Sequence, residues 1–416
     1  MKTRPGPLAP AVTLSAILSA AFAVVFSLVG CESSGDQGMA QRWDSAGVQI
    51  VQNDAPVAAA GEGISVQWEP EVVLGGGENL NEPSLFRVRD AKRLDDGTMV
   101  VANSGTSELL VYDQSGSHLR TLGGEGEGPG EFRDPRWIAV LGDTLVVYDP
   151  FQGTGRLTFL SVDGEVFSSQ TLVVEGRRFP NPGTMLPGGL LLDQVSEGSI
   201  PVDEVGHVVY TRTPVLYPRE GAPVDTLPAI PGGEAFKEES RGGISYSSVP
   251  FGRDAFTAWT ADRLFLGDGD RFSVDVFDLS GTHVMSIRRR HEPVPVTGDL
   301  VDRWIAATLD QEIFRLRPDA AERSKRRFEE APKPSTLPAH REIMADALGV
   351  LWVQNYSPPW EDSNIWSLFG PDGIWICDVE LPPGLEVMQI GEGHLLGLRQ
   401  DELDVEYVQL HEVMRG

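Results

Sequence analysis

Cysteine is almost missing from this chain of 416 residues, which has only Cys31 and Cys377. No disulfide framework can hold such a fold together. Basic residues are scarce too: 34 Lys and Arg stand against 61 Asp and Glu, for a formal charge of −27. Affinity for a polyanion is built from clustered cations that displace counterions, so this balance argues against a nucleic-acid partner and against a polybasic membrane-surface mode. Familiar catalytic signatures are also lacking. There is no Gly-x-Ser-x-Gly elbow, no zincin histidine pair, no paired cysteine and no glycine-rich loop ending in Lys and Ser or Thr. Gly267 to Asp270 lacks the alternating oxygen ligands and closing Glu of a calcium loop. No cofactor and no metal are expected from these residues, and after Val29 no apolar run is long enough to span a bilayer.

Turn formers and apolar residues are plentiful. Hydrophobic residues make up 41% of the chain, enough for a sizeable core. Its 46 Gly and 30 Pro total 76 of 416 residues, about 18% against the roughly 12% of average usage. Frequent turns between many short strands follow from that surplus.

The amino-terminal segment reads as an address. Lys2 and Arg4 precede an uncharged apolar stretch from Ala11 to Val29, which ends in Leu28, Val29, Gly30 and Cys31. This ending resembles the lipobox of bacterial lipoproteins. The resemblance implies a signal peptide over residues 1–30, cleavage before Cys31, and lipidation of Cys31, whose acyl chains would anchor the protein in a bilayer. An uncleaved anchor helix with an incidental cysteine is the alternative. Cleavage would leave 32 basic against 61 acidic residues, a charge of −29. Residues 31–43 are small and polar and read as a flexible tether, with residues 44–416 forming the exported domain.

That domain is repetitive. Asp96 and Gly97 lead into the apolar run Thr98 to Ala102, then Asn103, a loop, Leu109 to Asp113 and a turn at Gly116. The phrase recurs around Leu145 to Asp149, Leu264 to Asp268 and Leu351 to Asn355. Phe86 to Asn103, Phe132 to Asp149, Phe251 to Asp268 and Pro338 to Asn355 all span the same interval of 17 residues. Each unit holds four short apolar segments between turns, which suits a four-stranded antiparallel blade. Weaker units fill Pro182 to Leu227 and Pro383 to Val413, and Val48, Ile50, Val51 and Val72 to Leu74 are the candidates to complete the last one. Asp203, Glu204 and Gly206 interrupt the third unit.

Gly123, Gly126, Gly128, Pro129, Gly130, Glu131, Phe132 and Pro135 follow the Val111, Tyr112, Asp113, Gly116 strand and turn, and look like the linker between successive NHL-type repeats. The chain is similar to bacterial six-bladed β-propellers of the NHL and TolB-like superfamily. The resemblance implies an all-β fold of six four-stranded blades, with a helical insertion at 297–331 between blades four and five. There Thr297 can cap a helix whose apolar face uses Leu300, Trp304, Leu309 and Phe314, and Pro318 can start a second helix. The insertion is either a lid over the loop-rich face or a filler packed on the blades.

Repeat geometry supplies the candidate site. Asn103, Asp149, Asp268 and Asn355 end four second strands, and Arg133, Arg136, Arg253 and Arg341 lie near the starts of inner strands, with Arg87 and Arg89 beside the first. If they share a face, a broken ring of guanidiniums could take a carboxylate, phosphate or anionic sugar. Alternatively, each Arg bonds a neighbouring Asp or Asn and fixes a turn. Calcium near the axis, as in propeller lactonases, would make the protein an envelope hydrolase instead. His118 and His283 read as surface repeats, His340 as the one histidine near the loop-rich face, and Cys377 as a buried apolar residue. The expectation is a lipid-anchored envelope module that binds an unknown protein or a small anionic ligand.

Overall fold

The computed structural model describes residues 40–59, 62–76, 83–151, 154–172, 182–199, 204–218, 225–240, 243–310 and 318–416. Cys31, the signal segment and Phe314 lie outside them. Among the described residues the strands group into six sheets. Val88–Arg93, Met99–Asn103, Glu108–Tyr112 and His118–Gly123 form the first; Trp137–Leu141, Thr144–Phe151, Thr154–Ser161 and Val166–Leu172 form the second. The third takes Pro182–Met185, Leu191–Gly198, Gly206–Tyr217, Ile230–Ser240 and Gly243–Ser248, with Asp225–Thr226 alongside. The fourth has Phe256–Trp259, Arg263–Gly267, Ser273–Asp278 and His283–Arg289, and the fifth His340–Ala345, Leu351–Asn355, Ile365–Phe369 and Trp375–Glu380. Glu386–Ile390, His394–Gln400 and Glu406–Arg415 make the sixth.

The second strands explain how the sheets stack. Every residue of Met99–Asn103 is buried, although a strand sends successive side chains to opposite faces. Met99 and Val101 join Leu396, Leu398 and Val408 of the sixth sheet, while Val100 and Ala102 join Leu145, Val147 and Leu160 of the second. Val146 and Tyr148 then meet Met185 and Leu191 of the third, and Leu192 and Leu216 meet Leu264 and Leu266 of the fourth. Phe265 and Val274 pack on Leu351 and Val353, and Trp352 on Leu385 and Leu395, which brings the series to the sixth sheet. The apolar clusters thus run round the whole set and return to the first sheet. First strands touch one another along the inside, as Val88–Arg93 does with Trp137–Leu141 and with Glu386–Ile390. This radial stacking of antiparallel meanders is the architecture of a β-propeller.

The amino-terminal strands depart from expectation. Val72–Gly75 pairs with Glu406–Arg415 and completes the last sheet, as the pattern suggests. Val48–Asn53 does not: it runs parallel to His283–Arg289 on the outside of the fourth sheet and carries Ala40–Ser45 beyond it. The strand beginning at Ala40 also takes four residues from the stretch read as tether. Burial accounts for the placement, since Val51 is fully enclosed among Val276, Ile287 and Phe369. From there the chain bonds the fifth sheet's outer strand through the Val57 and Ala58 amides, then reaches the sixth through Ile64–Val66. One strap therefore covers three sheets. The third sheet also differs, extending to Ser248 rather than closing near Leu227.

Among the described residues the insertion forms two helices, α1 (Gly298–Leu309) and α2 (Pro318–Glu330). Thr297 caps α1 by accepting from the Leu300 amide at 3.4 Å. Trp304 meets Phe328 edge to face at 5.0 Å and Phe251 at 6.3 Å, and Arg327 pairs with Glu238 of the third sheet. Its neck is closed by Leu337 bonding Val294 and Val296 bonding Ser335.

Asn53 joins the strap to two sheets. Its Nδ2 donates to the Arg288 and Gly373 carbonyls at 3.1 and 3.0 Å, and its Oδ1 accepts from the Trp375 amide at 2.9 Å. Asn53→Ala leaves buried backbone groups without partners, so a loss of about 2–3 kcal/mol is expected. A urea unfolding curve of the purified chain measures it, with the exposed Gln49→Ala expected to change stability by less than about 0.5 kcal/mol.

Candidate site on the loop face

The ends of the second strands and the links that precede the first strands meet on one face. Asn103, fully buried, accepts from the Phe86 amide at 2.7 Å and donates to the Ser84 carbonyl and Thr106 hydroxyl at 3.1 and 2.9 Å. Asp149 does the same in the second sheet, accepting from the amides of Arg133 at 3.1 Å and Asp134 at 2.7 Å. Its other partner is the buried Arg156, whose Nη2 donates at 2.7 Å. In these two sheets the recurrent interval has a mechanical cause, because the side chain at its end ties down the backbone at or next to its start. Asp268 instead accepts from the Asp270 amide at 3.0 Å, and Asn355 accepts from Arg289 at 2.9 Å. Arg289 is held between the rings of Phe272 and Trp375, 4.5 and 4.2 Å from their centroids.

Three of the four arginines are not bare. Arg133 pairs with Glu127 at 2.6 Å, Arg136 with Asp134 at 2.7 Å, and Arg253 with Glu234 at 2.9 Å and with Asp270. Arg89 lies 3.9 Å from Asp134, which also accepts from Ser104. Burial raises the Asp134 carboxyl, but the Ser104 bond and the Arg136 and Arg89 charges outweigh it and hold it below the usual carboxylate range. The expected ring of open guanidiniums is therefore a set of ion pairs over most of its circumference. Glu127 and Asp134 come from the same link as Arg133 and Arg136, whereas Arg253 takes Glu234 from the third sheet and Asp270 from the loop after Arg263–Gly267.

Arg341 differs. Like Arg87, it is exposed, and among the described residues no carboxylate lies within ion-pair distance of it. Its charge is felt by Tyr356 and by Glu342. Burial pushes the Tyr356 phenol up to about 12, so it stays a neutral donor. Four residues on, Trp360 lies under the Arg303 guanidinium of α1 at 4.4 Å and edge-on to Phe251 at 6.3 Å.

His340 is 1% exposed, with Nδ1 against the Arg341 carbonyl at 2.9 Å and its ring 5.7 Å from both Phe256 and Phe272. Its Nε2 has no hydrogen-bond partner among the described residues and faces Gly267, where a Cβ would stand 3.1 Å away. Burial keeps the ring neutral against the pull of Asp268. Asp193, buried as the third residue of Leu191–Gly198 in the third sheet, extends the Asn/Asp series and is hidden in the sequence by the irregular spacing of that unit. Cys377 is fully buried in an outer strand, where burial raises its thiol. Among the described residues no group of three or more His, Cys, Asp or Glu side chains is placed to hold a metal ion, and no helix is long and apolar enough to cross a membrane.

No protein-family model matches the chain, and no curated protein matches it. Among solved structures it is similar to a protein described as exported from Bacteroides fragilis, at 12% identity over 88% of this chain and 99% of the other, with a TM-score of 0.47. Virginiamycin B lyase from Staphylococcus aureus aligns at 10% identity over 84% of this chain and 99% of its own, TM-score 0.38. Regucalcin from Agrobacterium tumefaciens aligns at 12% identity, 84% and 98% coverage, TM-score 0.35. At this level of likeness the fold rests on the sheets and their shared clusters, and no activity transfers.

Glu342, half-buried on the fifth sheet's inner strand, is pushed up to about 7 by burial and by the Glu386 charge, against the pull of Arg341. Between its ordinary 4.5 and about 7 the folded chain holds a proton that the unfolded chain releases, so stability falls as pH rises through that window. Glu342→Gln is expected to match the parent near pH 4 and to exceed it at pH 8 by about 1–2 kcal/mol, water at the half-buried carboxyl reducing the full shift. Thermal unfolding at the two pH values reads the difference.

Proposed function

We propose that this chain is an exported, lipid-anchored six-bladed β-propeller of the NHL or TolB-like kind that binds a small anion on its loop face at Arg341. The six sheets and the clusters linking the last to the first support the blade number. Leu28 to Cys31 support the anchor, and the first described strand begins nine residues after Cys31, close enough to keep the propeller beside the membrane.

One observation carries the ligand reading. On a face where Arg133, Arg136 and Arg253 are already matched to acids, Arg341 is an exposed guanidinium without an ion-pair partner among the described residues. Its neighbour Glu342 is partly protonated at neutral pH and offsets it only in part, while the Tyr356 phenol stays available as a donor. Such a guanidinium and phenol suit a planar carboxylate or a phosphate. The paired arginines shape the rim and do not compete for the ligand.

Calorimetric titration with citrate, inorganic phosphate and glucuronate tests this reading. At least one should bind, Arg341→Ala should weaken it tenfold or more, and Arg136→Ala should leave it within about twofold. Absence of binding by all three, or equal binding by Arg341→Ala, overturns it. The anchor is tested separately by incorporation of labelled fatty acid, which Cys31→Ser should abolish.

A further inference from the structure

Ala40–Ser45 is the outermost strand of the fourth sheet, and Gln41 to Ser45 are all exposed. It pairs with Val48–Asn53 without a bulge, through a two-residue turn in which Ala46 and Gly47 have φ of 55° and 87°. Positive φ at both positions marks a type I′ hairpin. In such a hairpin the residues flanking the turn exchange backbone bonds, so Ser45, Trp43 and Gln41 bond inward to the neighbouring strand. The amides and carbonyls of Arg42 and Asp44 consequently point outward, along an edge with no proline, no lysine and no bulge, whose two charges are of opposite sign.

We infer that this edge pairs antiparallel with the same edge of a second copy of the chain, about a two-fold axis through Trp43. Parity allows registers in which Arg42 and Asp44, the residues with outward backbone groups, face each other or themselves. Charge chooses among these. With Trp43 opposite Trp43 of the second copy, each Arg42 faces an Asp44, giving two cross-strand ion pairs and four backbone bonds. A slip of one pairing step in one direction sets Arg42 against Arg42; in the other it sets Asp44 against Asp44, and like charges directly opposite are destabilising. The central Trp43 pair occupies a non-hydrogen-bonded position, where side chains approach most closely. Trp43 is 44% exposed, and such a pair would cover it. An edge so complementary to itself is the requirement of an isologous contact.

The Cα atoms of a non-hydrogen-bonded pair lie about 4.5 Å apart, within the roughly 4.4–6.8 Å span of a disulfide. Trp43→Cys in the full chain should therefore form a covalent dimer under mild oxidation. The parent, with Cys31 and Cys377, sets the background. Val57→Cys, an exposed position elsewhere on the strap, should stay at that background. In the Trp43→Cys chain, Arg42→Asp or Asp44→Arg alone should cut cross-linking tenfold or more, and the two together should restore it. Restoration separates pairing between copies from loss of the Arg42–Asp372 ion pair, which the double variant also lacks. Cross-linking no higher than at Val57→Cys, a conjugate with a different protein, or failure of the double variant to recover would overturn the inference.

Discussion

Each sheet of this protein has two apolar faces, and neither can be hidden inside its own repeat. Met99 and Val101 need the sixth sheet, while Val100 and Ala102 need the second. The same division of one strand between two neighbours recurs at Val146 and Val147 and at Leu351 and Trp352. A linear stack would leave one face bare at each end. The circuit of clusters removes both ends at once, and the early segment Val72–Gly75 fastens the last sheet by pairing with Glu406–Arg415. Ring closure thus depends on residues far apart in the chain.

The loop face inherits its order from that stacking. Because the sheets are rigidly spaced, a buried Asn103 or Asp149 can hold the same link in successive repeats, and the links then carry their arginines to equivalent places. Local chemistry diversifies what the repeat supplies. Asp134 gathers Ser104, Arg89 and Arg136 between two sheets, whereas Arg253 reaches to Glu234 of the third sheet. Arg133, Arg136 and Arg253 are matched to acids there, whereas Arg341, like Arg87, has no carboxylate within ion-pair distance among the described residues.

Four repeats were legible in the sequence because their interval is regular, and in the first two sheets a side-chain tie accounts for it. The third was not: its outer strands, Ile230–Ser240 and Gly243–Ser248, carry Gly, Ser, Glu and Lys where an apolar alternation would have signalled a sheet. The strand at Val48 was recognisable, but hydrophobicity says which face is buried and not against what, so its partner in the fourth sheet could not be read. The arginines do lie near the starts of first strands, at differing offsets: Arg133 and Arg136 before Trp137, Arg253 before Phe256, and Arg341 as the second residue of His340–Ala345. What sequence could not give was their neutralisation, since Glu127 and Asp134 approach through the folding of the links and Glu234 comes from another sheet.

The closed neck of the helical insertion bears on how freely that segment can vary. Val294 and Val296 are bonded to Leu337 and Ser335, so the excursion leaves and re-enters the propeller at one point. Closing entropy grows only as the logarithm of loop length, about 0.6 kcal/mol for each doubling. The ring therefore tolerates wide changes in the length and content of what lies beyond the neck. What holds α1 and α2 in place is the local grip of Trp304 on Phe251, Arg303 on Trp360 and Arg327 on Glu238, which makes the insertion an interchangeable fitting on a fixed mount.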